Sequence, residues 1–474
     1  MTLTQIAVFS IAALLYGWVI PARWRGWALM TGSAIAIYWL QPTLHIRQLD
    51  FILPSTTLII TVLCWLIVRP SEPFSKDDYR AMAIIVGIIL ALSATRYLIP
   101  ELRLTSRPPD ILSVSVALLI VIGITITIWR FFSRWSHLYA ASILVLIAVF
   151  VIYKYEPLAT WVSGILRAQQ GQDATLASPI DLGWLGFSYV AFRLIHTLRD
   201  RQTGLLPPLA LREYLTYVIF FPSYTAGPID RVERFAEDFR VLTINLPSTR
   251  LFDGGYRISI GLLKKFVIAD SLALIALNIT NAQQVNPVGG LWLLLYAYAF
   301  RLFFDFSGYT DIAIGLGILL GIRLPENFDR PYTRQNITTF WQSWHITLSN
   351  WVRFYVFSPL SRGLLRQPHR LPTNSILLIS HLTTMIIIGL WHGITWTFFI
   401  WGLWHGLGLF IHKLWSDRTR KSYRGLQQHP VALRLWQITG ILLTFHFVLL
   451  GWVWFALPDV DTAITIFLKL FGAA

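Results

Sequence analysis

The chain has 474 residues, of which 55% are hydrophobic and only 13% charged. Ordinary soluble domains carry about 25% charged residues, and here 21 Trp and 30 Phe together outnumber the 24 carboxylates, so a soluble enzyme, a disordered chain and a disulfide scaffold are excluded. The net charge of +15 matches the Lys/Arg excess of cytoplasmic loops in membrane proteins, and no basic run is interleaved with a nucleic-acid-binding module.

Apolar runs fall at 3–20, 27–40, 50–68, 81–99, 111–129, 138–153, 180–197, 210–226, 255–280, 288–320, 374–400, 401–415 and 433–456. Runs such as Ile111–Trp129 are continuously apolar, unlike the alternating strands of a membrane barrel. Several are too short to span alone and suit tilted, re-entrant or bundle-buried segments. The expectation is an all-α polytopic integral membrane protein of roughly 11–14 transmembrane and re-entrant helices.

The first run has no basic residues ahead of it and Arg23 and Arg25 behind it, so it reads as a retained span. Early loops alternate in basic content. Arg23/Arg25, Arg69/Lys76/Arg80 and Arg130/Arg134 outnumber Arg47, Arg103/Arg107 and Lys154/Arg167, which places the N-terminus outside and the first loop inside. Cys64 is the single cysteine, so no disulfide and no Cys-based metal site is expected.

Composition changes near residue 180. Before it the runs are plain Leu/Ile/Val/Ala; after it Gly, Pro, Trp, His, Asp and Arg enter them repeatedly. Polar groups at membrane depth are costly unless they pair or line a cavity, so function is expected within 180–455. No internal repeat is evident, which weighs against an inverted-repeat transporter.

In Phe340-Trp341-Gln342-Ser343-Trp344-His345-Ile346-Thr347-Leu348-Ser349, helical spacing puts Gln342, His345, Ser349 and Arg353 on one face. Trp341, Trp344, Trp351 and Phe354 surround that stripe. Spacing alone fits a working face or a water-facing one equally. His392, in Gly389-Leu390-Trp391-His392-Gly393, ends an apolar run between glycines. A buried, neutral imidazole there can take a proton from a hydroxyl, or it can tie two helices together. His381 lies three turns earlier on the same face.

Asp305 and Asp311, in Phe304-Asp305-Phe306-Ser307-Gly308-Tyr309-Thr310-Asp311, face different ways on a straight helix. They are expected to pair with arginines such as Arg301. Phe221-Pro222-Ser223-Tyr224-Thr225-Ala226-Gly227-Pro228 breaks an apolar region, which requires burial in protein or a cavity. Arg231, Arg234, Arg257, Lys264 and Lys265 follow and could meet lipid headgroups or a phosphorylated ligand, headgroups being the expectation. Phosphate-loop, nucleophile-elbow and HExxH patterns are absent, and His405 with His412 lacks a third ligand for a metal.

These residues resemble the membrane-bound O-acyltransferase family, in the bacterial branch that holds the alginate O-acetylation membrane protein and the D-alanyl transfer protein of teichoic acids. The matching stretches are Gly186-Phe187-Ser188-Tyr189, Phe220-Phe221-Pro222, Ala226-Gly227-Pro228-Ile229, Gly261-Leu262-Leu263-Lys264-Lys265 and the 304–311 segment. Pro325-Glu326-Asn327-Phe328-Asp329-Arg330-Pro331-Tyr332, 340–348, 389–393 and Gly451-Trp452-Val453-Trp454-Phe455 complete the series. Each is weak alone; the ordered set is specific.

The resemblance implies N-terminal transmembrane helices at 1–179, a catalytic core at 180–460 and a tail at 461–474, arranged around a funnel or tunnel. It implies that His392 is the catalytic histidine and His345 the second functional one. Gln342, Ser349, Trp341, Trp344, Trp391, Asn327 and Arg353 would line the tunnel or bind the donor, with Asp305 and Asp311 as scaffold. No cofactor or metal is held permanently. The donor would be acetyl-CoA or an acyl-carrier-protein thioester on the cytoplasmic side. The acceptor would be an envelope glycan, served by an extracytoplasmic acyltransferase partner, at a bacterial cytoplasmic membrane. Branch members continue after the first histidine with an Arg-Asp pair and a Gly-Gly turn. Here Arg353 is followed by Phe354, and the later turn reads Ser358-Pro359-Leu360-Ser361-Arg362-Gly363, so acyl group and acceptor do not carry over. Acetyl is the expected group, with D-alanyl transfer, a transporter or channel, and an inactive scaffold as the alternatives.

Overall fold

The computed structural model describes residues 1–70, 72–99, 104–132, 137–243, 249–368 and 371–473; Arg103 and Arg134, counted among the loop charges, lie outside them. Every regular element among the described residues is a helix. Leu49–Val68, Lys76–Leu98, Val288–Leu320, Thr373–His392 and Pro430–Ala456 are long and apolar enough to cross a membrane. Leu138–Lys154 with Glu156–Gln169 forms a further candidate, bent by 88°. The protein is all-α, polytopic and membrane-embedded. Several helices start on side chains that satisfy the orphan N–H groups of a first turn. Thr2 with Gln5 and Ser75 with Asp78 form capping boxes, and Asn336 and Thr395 cap Ile337–Trp341 and Trp396–Leu426.

The chain forms two compact units, 1–258 with 312–324, and 259–311 with 325–474. In the first, the Pro/Gly break after Ile219 is buried, as its sequence requires. Arg193, 1% exposed, donates to the Val218 and Ser223 carbonyls and to Ser223 Oγ at 2.7–2.8 Å. The Gly186 backbone is left-handed with φ +76 and lies against Tyr224, whose ring would sit 2.6 Å from an added Cβ. Two of the basic residues that follow are held in ion pairs. Arg231 pairs with Asp200 at 3.2 Å and Glu233 at 3.3 Å, and Arg234 with Asp230. Arg231 and Arg234 are thus engaged by carboxylates of the protein itself, Asp200 from an earlier helix and Asp230 and Glu233 from their own segment.

In the second unit, Gly308 lets helix Val288–Leu320 meet the segment after Gly261. An added Cβ would stand 2.8 Å from both the Gly261 carbonyl oxygen and the Lys265 nitrogen. That close approach sets Lys264 against Asp311 at 2.7 Å and Lys265 against Asp305. The two carboxylates thus pair with lysines across a helix crossing rather than with Arg301. Leu263–Ala269 is a π-helical stretch. Thr373–His392 and Trp396–Leu426 form a tight helical hairpin. It breaks at Gly393–Thr395, earlier than the run 374–400 implied, because Thr395 caps the second helix through the Phe398 N–H.

Candidate active site

His345 is built by its backbone. It has φ +44 and ψ 55 at the start of helix Ile346–Val352, a left-handed conformation that is uncommon for a side chain with a Cβ and marks a functional candidate. The turn is held by an extended pairing: Asp329 N–H donates to the Ser343 carbonyl and Ile346 N–H to the Asn327 carbonyl, each at 3.0 Å. Phe328 and Trp344 face one another as an antiparallel bridge.

The Asn327 side chain, 0% exposed, orients the imidazole. Its Oδ1 accepts from Thr347 N–H at 3.2 Å and Thr347 Oγ1 at 2.8 Å. The backbone N–H fixes which amide atom faces this side, so Oδ1 also accepts from His345 Nδ1 at 3.0 Å. The proton is thereby assigned to Nδ1, and Nε2 carries the lone pair. Nε2 has no hydrogen-bond partner within the protein. Burial, and after it the His392 imidazole, lower the His345 pKa to about 3. The neutral ring can accept a hydrogen bond or a proton at Nε2 but cannot donate one there.

His392 arrives from the C-terminal end of Thr373–His392. Its ring packs on Phe455 at 4.7 Å, Trp401 at 5.7 Å and Phe398 at 5.8 Å. Trp391 stands between the histidines, 4.6 Å from the His392 ring and 6.2 Å from that of His345. Phe306 closes on His345 at 4.7 Å. Glycines make this approach available: a Cβ on Gly389 would lie 2.2 Å from the Phe398 carbonyl oxygen, and one on Gly402 2.6 Å from that of Met385. Gly389→Ala should therefore lower stability by about 1–3 kcal/mol, visible as a lower Tm. Gly363→Ala is the control, since a Cβ there meets nothing within 4 Å; equal Tm values for the two variants would refute the close-approach argument.

Of the residues expected here, His345, His392, Trp391 and Asn327 come together. Trp344 lies in the aromatic floor, 5.2 Å from both Phe328 and Trp452. Trp341 sits instead against His405, at 5.2 Å. The predicted stripe does not form as one helix. Ile337–Trp341 ends and Ile346–Val352 begins anew, because the left-handed turn at His345 interrupts it. Gln342 and Arg353 are exposed while His345 is buried, and Ser349 Oγ donates to the Trp344 carbonyl at 3.3 Å. His381 packs on Phe357 at 5.0 Å.

Sequence reasoning missed Thr347 as a support of Asn327, and His405 as a wholly buried imidazole. His405 is 0% exposed, and both its ring nitrogens are without a hydrogen-bond partner in the protein. Its signal was present: Leu403-Trp404-His405-Gly406 repeats Leu390-Trp391-His392-Gly393. His412 does not join it, being bonded to Thr338 Oγ1 at 2.9 Å. Among the described residues, one group has metal-ligand chemistry: His196, Asp200 and Glu233, with ligand atoms within 4.8 Å of one another. Arg231 already compensates both carboxylates, which leaves a cation little reason to bind.

A match to a known family spans these segments. The model of the membrane-bound O-acyltransferase family matches residues 131–454. The chain is 33% identical over 285 residues to a teichoic acid D-alanyltransferase of Streptococcus thermophilus, covering 58% of this chain and 68% of that one. It is 38% identical over 292 residues to the “Probable alginate O-acetylase AlgI” of Azotobacter vinelandii, covering 61% and 54%. A peptidoglycan O-acetyltransferase of Helicobacter pylori is 35% identical over 265 residues, 55% of this chain and 46% of that one. The match thus spans about half the length of the two O-acetylating relatives.

Proposed function

Since the chain belongs to the membrane-bound O-acyltransferase family, we propose that it moves an acetyl group from a cytoplasmic thioester toward hydroxyls of an extracytoplasmic polysaccharide. The convergence of His345 and His392 on Trp391, from positions 345 and 392 of the chain, carries this reading. In the step, an acceptor hydroxyl gives its proton to His392 as its oxygen attacks the thioester carbonyl carbon. The C–S bond breaks, and the leaving thiolate recovers the proton. His345, limited to acceptance at Nε2, orients an O–H or N–H of the reactants. Asn327 holds that tautomer. The aromatic walls keep water from competing for the acyl group.

The donor in this reading is acetyl-CoA or an acyl-carrier-protein thioester, used at a bacterial cytoplasmic membrane beside a tunnel. An extracytoplasmic acyltransferase completes delivery to the glycan. D-Alanyl transfer is the second reading, favoured by one observation: the match covers 68% of the teichoic acid D-alanyltransferase, more than of the two O-acetylating relatives named above. Base-labile esters on envelope glycans, compared between a deletion strain and its complement, test both. Acetate released only from the complemented strain supports the first reading. D-Alanine supports the second. Ester content unchanged by deletion would overturn both.

A further inference from the structure

Helices Trp396–Leu426 and Pro430–Ala456 run antiparallel across a short connection and leave a groove of about 930 Å³. Its chemistry is graded along its length. At one end Trp404 stacks on Phe447 at 4.8 Å, and the exposed Ile411 and Leu443 continue an apolar wall. At the other end Trp415 lies parallel to Trp436 at 6.4 Å, and Tyr423 approaches the same Trp436 at 6.5 Å. Arg420 lines the groove beyond the tryptophans, and no carboxylate is among its lining residues. Arg418, Lys421 and Arg424 are exposed on the same helix end, while the nearby Asp417 is engaged by Lys413 at 2.6 Å.

The spacing matches one leaflet of a bilayer. Trp404 to Trp415 covers about 16 Å of helix axis at about 1.5 Å per residue, half of a hydrocarbon core about 30 Å thick. Arg420 lies about 7 Å further on, at the depth of phosphates. Paired indoles and a tyrosine at the boundary between these zones form the aromatic belt of a membrane interface. We infer that this groove binds an anionic glycerophospholipid of the cytoplasmic leaflet. Its acyl chains lie on Trp404, Ile411, Leu443 and Phe447, and its phosphate lies at Arg420. The cationic end places the site in the cytoplasmic leaflet by the Lys/Arg bias of cytoplasmic segments. Gln335, Asn336 and Ile337 form a third wall. Asn336 caps the short helix that delivers Trp341, so a bound lipid braces the segment leading to His345.

The site is tested on the full chain by native mass spectrometry from micelles holding equal phosphatidylglycerol and phosphatidylcholine. Wild type should retain phosphatidylglycerol over phosphatidylcholine by about tenfold. Arg420→Gln combined with Arg424→Gln should remove most of that preference, at unchanged Tm. Thr439→Trp, which fills the groove from an exposed position, should lose the retained lipid. Equal retention of the two lipids by wild type, or wild-type retention by both variants, overturns the proposal. So does a dimer of the chain that Thr439→Trp dissociates, since a second copy would then be the occupant. None of these readouts depends on acyl transfer.

Discussion

Replacing His392 with alanine should lower the rate of acyl transfer by about 10²–10⁴-fold, the range that a positioned acid–base group supplies, and should leave the protein folded. The ring lies at the end of Thr373–His392, beside Trp391, Trp401 and Phe455. Its loss removes a proton acceptor without removing the backbone crossing at Gly389 and Gly402 that fixes the hairpin. The deficit therefore falls on kcat rather than on expression or Tm. Two measurements decide it: ester formation per unit of membrane protein, and thermal unfolding of the purified variant. Full ester formation by His392→Ala at equal expression would sink the catalytic assignment and leave transport or scaffolding as the better account. Loss of both activity and Tm would call for His392→Gln, which keeps a polar side chain of similar size without imidazole basicity.

The class of molecule was legible in the sequence because it follows from composition: 55% hydrophobic and 13% charged residues leave little but a helical membrane protein. The ordered motifs were legible too, and the fold gives them physical meaning. Gly308 must approach the 261–265 backbone closely, so that Lys264 and Lys265 can meet Asp311 and Asp305. Periodicity failed where the backbone leaves the helix. The stripe from Gln342 to Arg353 assumes a continuous 3.6-residue repeat, but the Asn327 carbonyl takes the Ile346 N–H and turns His345 left-handed. No local propensity announces that turn, because its cause is a strand-like pairing with a segment nearly twenty residues earlier. Arg231 shows a related effect: Asp200, brought beside it from an earlier helix, is invisible to loop-charge counting.

Asn327 carries the other large effect. Its Oδ1 accepts from three donors, His345 Nδ1, Thr347 N–H and Thr347 Oγ1, all inside the buried site. Asn327→Leu leaves these donors unmet, at about 1–3 kcal/mol for each buried group not satisfied otherwise. The variant should lose about 2–4 kcal/mol of stability, along with the Nδ1–H tautomer that frees Nε2. Asn327→Asp separates orientation from charge. The carboxylate still accepts from Thr347 and His345, but its negative charge favours the imidazolium and raises the His345 pKa from its wild-type value of about 3. In wild type, His345 stays neutral down to that pH and adds no inflection to the activity profile above it. In the aspartate variant, activity should hold at high pH and fall as pH drops through the raised pKa, where Nε2 gains a proton and can no longer accept. A pH–rate profile of the two proteins, with Tm measured alongside, gives the answer. Superimposable profiles would mean that Asn327 only fills space, and the assigned tautomer of His345 would go with it.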